Sequence, residues 1–256
     1  MGQTITNVQP LAPPEPIRPE GLEELLAEEP AETQAQLENG WNCQDCSDNL
    51  TVKEEGLAVW RRPLAQLSDG VRGKKGYSEG LHAWEISWPV EQRGTHAMVG
   101  VATSHAPLQA DCYTSLLGST ADSWAWNIST CQLCHSSKAQ PATAYPAAQR
   151  PSAMAVPEKL VVVLDMVEGT LGYVVDGEYL GTAFQGLRGQ TLYPAISAVW
   201  GQCEVRIRYI GQQKGEPLSL VQLCRQSIRA ALGEGRISAV QSLPLPRTLK
   251  KYLLYP

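Results

Sequence analysis

The chain has 256 residues, of which 43% are hydrophobic, and a formal net charge of −5. This supports a sizeable core in one large domain, or in one ordinary domain with a small appendage. It excludes the broad basic surface that phosphate backbones require, so nucleic acid is not an expected partner. No window is long and apolar enough to span a bilayer, and the N-terminus lacks the basic-then-apolar pattern of a secretory signal. Seven cysteines in such a chain read as free thiols of a reducing compartment, and the expected location is cytoplasmic.

Met1-Gly2-Gln3-Thr4-Ile5-Thr6 fits the minimal pattern for myristoylation at Gly2. No basic run or neighbouring cysteine supplies a second anchor, and one acyl chain binds only marginally, so no stable membrane association is expected. Residues 1–25, rich in Pro and Glu, read as a flexible solvated tail, with a short helix around Leu22 to Ala27.

From about residue 40 short strand-like runs alternate with Gly, Asp and Pro. Trp84, Ile86 and Trp88 share one face of a strand while Glu85 and Ser87 point the other way. Ala97 to Thr103 is apolar on both faces and predicts a central strand. Leu160 to Leu164 predicts another, followed by a turn at Glu168-Gly169 and a partner strand from Thr170 to Val175. Asp176-Gly177 is a two-residue hairpin signal. Cys203, Val205, Ile207 and Tyr209 alternate with Glu204, Arg206 and Arg208, as in a strand with one buried and one wet face. Many short strands with almost no helical period predict a mostly β protein, an antiparallel sandwich.

After Gly215 the period changes. Leu220, Leu223, Cys224, Ile228 and Ala231 form one apolar stripe at helical spacing, with Pro217 suited to the first turn and Gly233 and Gly235 to the end. Leu243-Pro244-Leu245-Pro246 is not helical throughout, because each proline restricts the residue before it. Leu249, Tyr252 and Leu253 form a second short stripe. About forty residues cannot close a core of their own, so both stripes must pack on the sandwich or on another protein.

Three chemical readings are weak. Cys43-x-x-Cys46 and Cys131-x-x-Cys134 have zinc-knuckle spacing but lie far apart, and Leu133 between the second pair predicts opposite faces for its cysteines. Cys131-Gln132-Leu133-Cys134-His135 matches the haem-attachment string without an export route or a helical cage. Asp165 and Glu168 fall at a strand end and a turn, where carboxylates are usually solvated turn formers. No nucleophile pattern or phosphate loop is present, so no cofactor, no metal and no catalysis are expected.

Ser219-Leu220-x-x-x-Cys224-x-x-x-Ile228 followed by Leu243-Pro244-Leu245-Pro246 resembles a SOCS box. The first half is similar to the elongin-C-binding pattern, with Leu220, Cys224 and Ile228 as contact residues. The second half is similar to the pattern that directs the box to cullin-5, through Leu243, Pro244, Leu245 and Pro246. Gly80-Leu81-His82-Ala83-Trp84-Glu85-Ile86, the hairpin from Leu164 to Gly177, and Leu192-Tyr193-Pro194 to Val199-Trp200 resemble a SPRY domain. The chain is thus identified as a member of the SPRY domain- and SOCS box-containing family. The implied layout is a flexible tail (1–25), a SPRY, B30.2-like sandwich (26–214) and a small α-helical SOCS box (215–256).

The resemblance implies a non-catalytic substrate-recognition subunit of a ubiquitin ligase that contains elongin B, elongin C, cullin-5 and a RING protein. The family binds peptides of the type Asp/Glu-Ile/Leu-Asn-Asn-Asn in substrates such as inducible nitric oxide synthase and promotes their ubiquitination and proteasomal degradation. The matching positions are Arg61, Pro63, Ala65, Gln66, Thr95, Tyr113, Leu116, Gly118, Val199, Trp200 and Gly201. Arg61 is expected to hold the acidic residue, and Gly118 and Gly201 to let backbone come close. Tyr113 and Trp200 are expected to supply flat walls. The sequence departs from the family at Leu67, Thr120, Ala125 and Cys134, and Ala125 matters if its position needs positive φ. Two alternatives stand beside this reading: a SPRY adaptor without ligase recruitment, and a carbohydrate-binding or carbohydrate-active sandwich.

Overall fold

The computed structural model describes residues 18–28, 31–137, 141–146, 155–213, 224–225, 227–228, 231–232 and 240–254. Gly2, Leu220 and Leu223 lie outside the described residues, and with them the acylation pattern and the first elongin anchor.

Two antiparallel sheets stack face to face. One contains β1 (Trp41–Cys46), β4 (Leu67–Gly73), β14 (Tyr193–Ala198), β6 (Met98–Ala102), β8 (Ser123–Asn127), β9 (Gln132–His135) and β10 (Thr143–Ala144) in that spatial order, with β7 (Gln109–Asp111) also paired to β4. The other runs β13 (Glu178–Phe184), β12 (Thr170–Val175), β11 (Lys159–Asp165), β5 (Leu81–Ser87), β15 (Glu204–Gln213), β3 (Ala58–Arg61) and β2 (Leu50–Lys53).

The period-two pattern decides what fills the space between the sheets. Trp84 and Ile86 of β5, Val162 and Leu164 of β11, and Val205, Ile207 and Tyr209 of β15 face Val99 and Val101 of β6, Trp124 and Trp126 of β8, and Ile196 of β14. Each such buried side chain contributes about 1.5–3 kcal/mol. The Tyr173 hydroxyl crosses the layer to donate to the Val99 carbonyl at 2.9 Å. The wet face of β15 is as expected: Arg206 pairs with Glu54 and Glu204, and Arg208 with Glu85. In the β12–β13 hairpin Asp176 and Gly177 have φ of 51° and 80°, the left-handed pair that a two-residue turn requires.

Both outer faces are partly covered. On the second sheet, α1 (Leu22–Ala27) lays Leu22 and Leu25 against Leu81, Ala83, Val163, Tyr179 and Ile210. The solvated tail expected through residue 25 is therefore corrected from Leu22 onward, because this strip of sheet is apolar and needs a cover. On the first sheet, Ala106 and Leu117 cover Met98, Ala102, Ala125 and Ala195. This explains why β6 is apolar on both faces.

Ala125 is ordinary extended strand with no positive φ. The clearance is on the opposite strand, at Gly100, where a Cβ would lie 2.0 Å from the Trp124 carbonyl oxygen. Cys131 belongs to the inter-sheet core and Cys134 to the outer cluster, so the two face opposite ways.

In the C-terminal segment, residues 224–225, 227–228 and 231–232 are helical, and a helix at Arg247–Leu254 ends the described chain. Leu253 is buried and Tyr252 half-buried, while Cys224, Ile228, Leu243 and Leu249 are exposed. Arg225 places its guanidinium 5.0 Å over the Tyr252 ring and lies 3.7 Å from Glu168 of the sandwich.

Candidate functional site

Antiparallel pairing brings the C-terminal ends of β3 and β14 and the N-terminal ends of β4, β6 and β15 to one end of the sandwich. Four loops leave there: Arg62–Gln66, Arg93–Ala97, Cys112–Gly118 and Val199–Cys203. They touch one another. A Cβ on Gly201 would lie 2.7 Å from Pro63 Cα, and one on Gly94 would lie 3.3 Å from Val199 and Trp200. Cys112 N–H donates to the Gln66 carbonyl at 2.7 Å, and Gln202 N–H to the Arg61 carbonyl at 2.9 Å. Gln66, Cys112 and Gln202 all have left-handed φ, at 58°, 65° and 64°. Strain of this kind persists only where surrounding contacts over-determine the backbone.

Pro63, Ala65, Gln66, Thr95, Tyr113 and Trp200 are exposed at this end, as a binding surface requires. Tyr113 is 48% and Trp200 50% exposed, and Leu64 of the Arg62–Gln66 loop is 42% exposed. Large apolar side chains exposed on pinned loops are what a docking surface would need. Leu64 escaped the sequence reading because an isolated loop leucine carries no periodic signal.

The remaining expected contact residues work differently. Arg61 is fully buried: its guanidinium pairs with Asp69 at 2.7 Å and donates to the Leu64 and Leu67 carbonyls at 3.1 and 2.8 Å. It is thus not placed to hold an acidic peptide residue, and that expectation is corrected; its guanidinium is engaged in shaping the loop. Gly118, at φ 86°, lacks a Cβ because one would lie 2.4 Å from the Cys134 carbonyl oxygen, so its space serves the first sheet and not a ligand. Gly201 likewise makes room for Pro63. The Leu116 and Val199 side chains are buried beneath the loops.

Among the departures, Leu67 continues β4 by pairing with Asp111. Thr120 Oγ1 accepts from Asp122 N–H at 3.3 Å, and the Thr120 carbonyl accepts from Ser136 N–H at 3.1 Å. Leu67 therefore acts through its backbone, and Thr120 through its hydroxyl and its carbonyl.

Asp165 and Glu168 each have partners within the protein. Asp165 is buried, which corrects its expected solvation, and its Oδ1 accepts the Val167 and Glu168 N–H groups at 2.9 and 3.0 Å. Burial raises its pKa, against those two hydrogen bonds. Glu168 is paired with Arg188. Burial pushes the Cys203 thiol up to about 12 and raises Cys131 and Cys134, so these sulfurs behave as small hydrophobes. Among the described residues no group of three or more His, Cys, Asp or Glu could hold a metal ion.

Family models match in the order anticipated, a SPRY domain at residues 81–210 and a SOCS box at 216–254. SPRY domain-containing SOCS box protein 2 of Rattus norvegicus is 60% identical over 238 residues, 93% of this chain and 90% of that protein. The chain belongs to the SPRY domain-containing SOCS box protein family. Protein gustavus of Drosophila melanogaster is 49% identical over 93% of this chain and 87% of its own length. The sandwich is also similar to the SPRY domain of human HERC1, with TM-score 0.50 and 17% identity over 68% of this chain and 100% of that one, a likeness of fold. SPRY–SOCS box proteins are of the adaptor type: the SOCS box joins elongins B and C and a cullin, and the SPRY sandwich takes the substrate to be ubiquitinated. Among the described residues no helix is long and apolar enough to cross a membrane.

Proposed function

We propose that this SPRY–SOCS box protein is a cytoplasmic receptor that grips an Asp/Glu-Ile/Leu-Asn-Asn-Asn-type segment, such as that of inducible nitric oxide synthase, at the loop end of its sandwich. The observation that carries this reading is the exposure of Tyr113 and Trp200 on loops whose backbones are fixed from beneath. A preformed surface avoids the cost of ordering loops on binding, so a short motif can be held firmly. Asparagine side chains need donors and acceptors placed in advance, a demand that loops fixed in shape would meet. With Arg61 committed to Asp69, the exposed Arg62 is the cation of this loop left for the acidic residue.

The remaining work is geometric. Elongin C would be met by Leu220, Cys224 and Ile228, and cullin-5 by Leu243, Pro244, Leu245 and Pro246. A RING protein on the cullin would bring the charged conjugating enzyme close to the bound substrate, raising the effective concentration of its lysines near the thioester and marking it for proteasomal degradation. Exposure of Cys224, Ile228 and Leu243 supports this docking.

The test is calorimetric titration of an Asp-Ile-Asn-Asn-Asn peptide into the full chain co-expressed with elongins B and C. Saturable binding that is strongly weakened, yet still measurable, in Tyr113→Ala is the expected result. A stable elongin complex that takes up no peptide would overturn the peptide reading and keep the adaptor class.

A further inference from the structure

Two consecutive residues at the start of β4 are buried, polar and turned to opposite sides, and each reaches a different loop of the peptide end. Ser68 is fully buried. Its Oγ accepts the Thr114 N–H at 2.9 Å, and its single proton serves the Cys112 carbonyl at 2.8 Å or the Thr114 carbonyl at 3.1 Å. Those bonds bracket Tyr113 from both sides. Asp69 is also fully buried. Its Oδ2 takes the Arg61 guanidinium, with Nε at 2.8 Å, and the same guanidinium gathers the Leu64 and Leu67 carbonyls, closing the loop that carries Pro63, Ala65 and Gln66. Its Oδ1 accepts from Ser47 Oγ at 2.6 Å, Asn49 Nδ2 at 3.0 Å and Gln109 Nε2 at 3.2 Å, tying that loop to the β1–β2 turn and to β7.

We propose that Ser68 and Asp69 are the positioning residues of the peptide end, setting the shape of two loops that they never share with the ligand. The proposal rests on the peptide-receptor reading above and adds the reason that a short motif meets a ready-made surface. Backbone of this kind, at left-handed φ for Gln66 and Cys112, relaxes when its tethers are removed. The peptide must then order it again, and affinity falls although every contact residue is still present. Ser68 acts through the Tyr113 loop and Asp69 through Arg61. Neither role has a local signal: Ser68 acts on a loop far along the chain, and the Asp69–Arg61 pair is seen only once both are buried together.

The experiment uses the full chain with elongins B and C and the Asp-Ile-Asn-Asn-Asn peptide, comparing wild type, Ser68→Ala, Asp69→Asn, Tyr113→Ala and the Ser68→Ala/Tyr113→Ala pair. Ser68→Ala should weaken the peptide about tenfold, a loss of about 1.4 kcal/mol, with elongin assembly unchanged. Faster amide exchange should be confined to residues 112–116 in Ser68→Ala and to residues 62–67 in Asp69→Asn. The effect of Ser68→Ala should vanish in the Tyr113→Ala background, a non-additivity that general destabilisation does not produce. Asp69→Asn leaves a buried guanidinium without its carboxylate; where it does not fold, Ser68→Ala decides. Wild-type affinity and loop exchange in Ser68→Ala would overturn the proposal. A wild-type chain that ignores the peptide would instead overturn the receptor reading, and unchanged or faster loop exchange in Ser68→Ala would then decide the positioning role alone.

Discussion

At the loop end of the sandwich Leu64, Tyr113 and Trp200 are exposed above backbone that is tied to buried polar groups. In the SOCS box Ile228, Leu243 and Leu249 are just as exposed, yet few of their neighbours are inside: Val240 and Leu253 are the buried hydrophobics among the described residues from 224 onward. The difference is one of where the missing core is supplied. The sandwich closes two sheets on its own and can hold strained loops in a fixed shape. The box is too small to close a core alone, and among its described residues Ile228, Leu243 and Leu249 stay exposed. One region holds its exposed side chains on fixed loops, and the other buries few of its described apolar residues.

This contrast is open to direct attack, and the largest effect should come from the buried ion pair. Arg61→Met removes the partner of a fully buried Asp69 and frees the Leu64 and Leu67 carbonyls. It should cost about 3–5 kcal/mol of stability, read by denaturant unfolding. A loss under about 1 kcal/mol would mean that the loop end is less finished than its hydrogen bonds imply. Trp200→Ala should remove about 2 kcal/mol of peptide binding in calorimetry, as a half-exposed aromatic anchor does, while unfolding stability shifts by less than about 1 kcal/mol.

On the other side of the comparison, Ile228→Ala should weaken elongin association by about 1 kcal/mol in a pull-down titration and leave peptide affinity unchanged. A parallel loss of peptide affinity would show that the two regions are coupled, with the Arg225–Glu168 contact as the first place to look.

The smallest effect concerns pH. His82 lies where β5 pairs with the end of β15, far from the loop end, stacked 3.9 Å from the Tyr77 ring. Burial, with a smaller push from Lys75, holds its pKa below the usual 6.5. The unfolded chain therefore binds that proton first as pH falls. The stability involved is full above about pH 6.5 and is lost as pH drops through the lowered folded value. His82→Gln should flatten the decline in unfolding free energy between about pH 7 and pH 5 and should not change the pH dependence of peptide binding.

Much of the sandwich was legible in the sequence because its signals are local. The alternation around Trp84 and Ile86, the two-sided apolar run of β6 and the Asp176-Gly177 turn each act within a few residues. The SOCS box was legible for the same reason, since helical stripes and Pro-flanked leucines are local patterns. Along the chain Arg61 is a polar residue next to a loop, and the surface is where such a residue is usually found. Its burial depends on Asp69, Leu64 and Leu67 closing around it. Along the chain Gly118 reads as a ligand-side glycine, yet Cys134 stands behind it, and Leu22 and Leu25 cover an apolar strip of sheet formed by residues from other strands.

By itself the sequence determined the strand periods, the hairpin, the order of sandwich and box, and the family. Those follow from side-chain chemistry at fixed local spacing. The tertiary structure alone decided which polar groups are buried, which glycines make room inside the protein, and which of the expected contact residues reach solvent. Those outcomes depend on strand pairing between distant segments, where one register sets the partner of every buried charge and the neighbour of every missing Cβ.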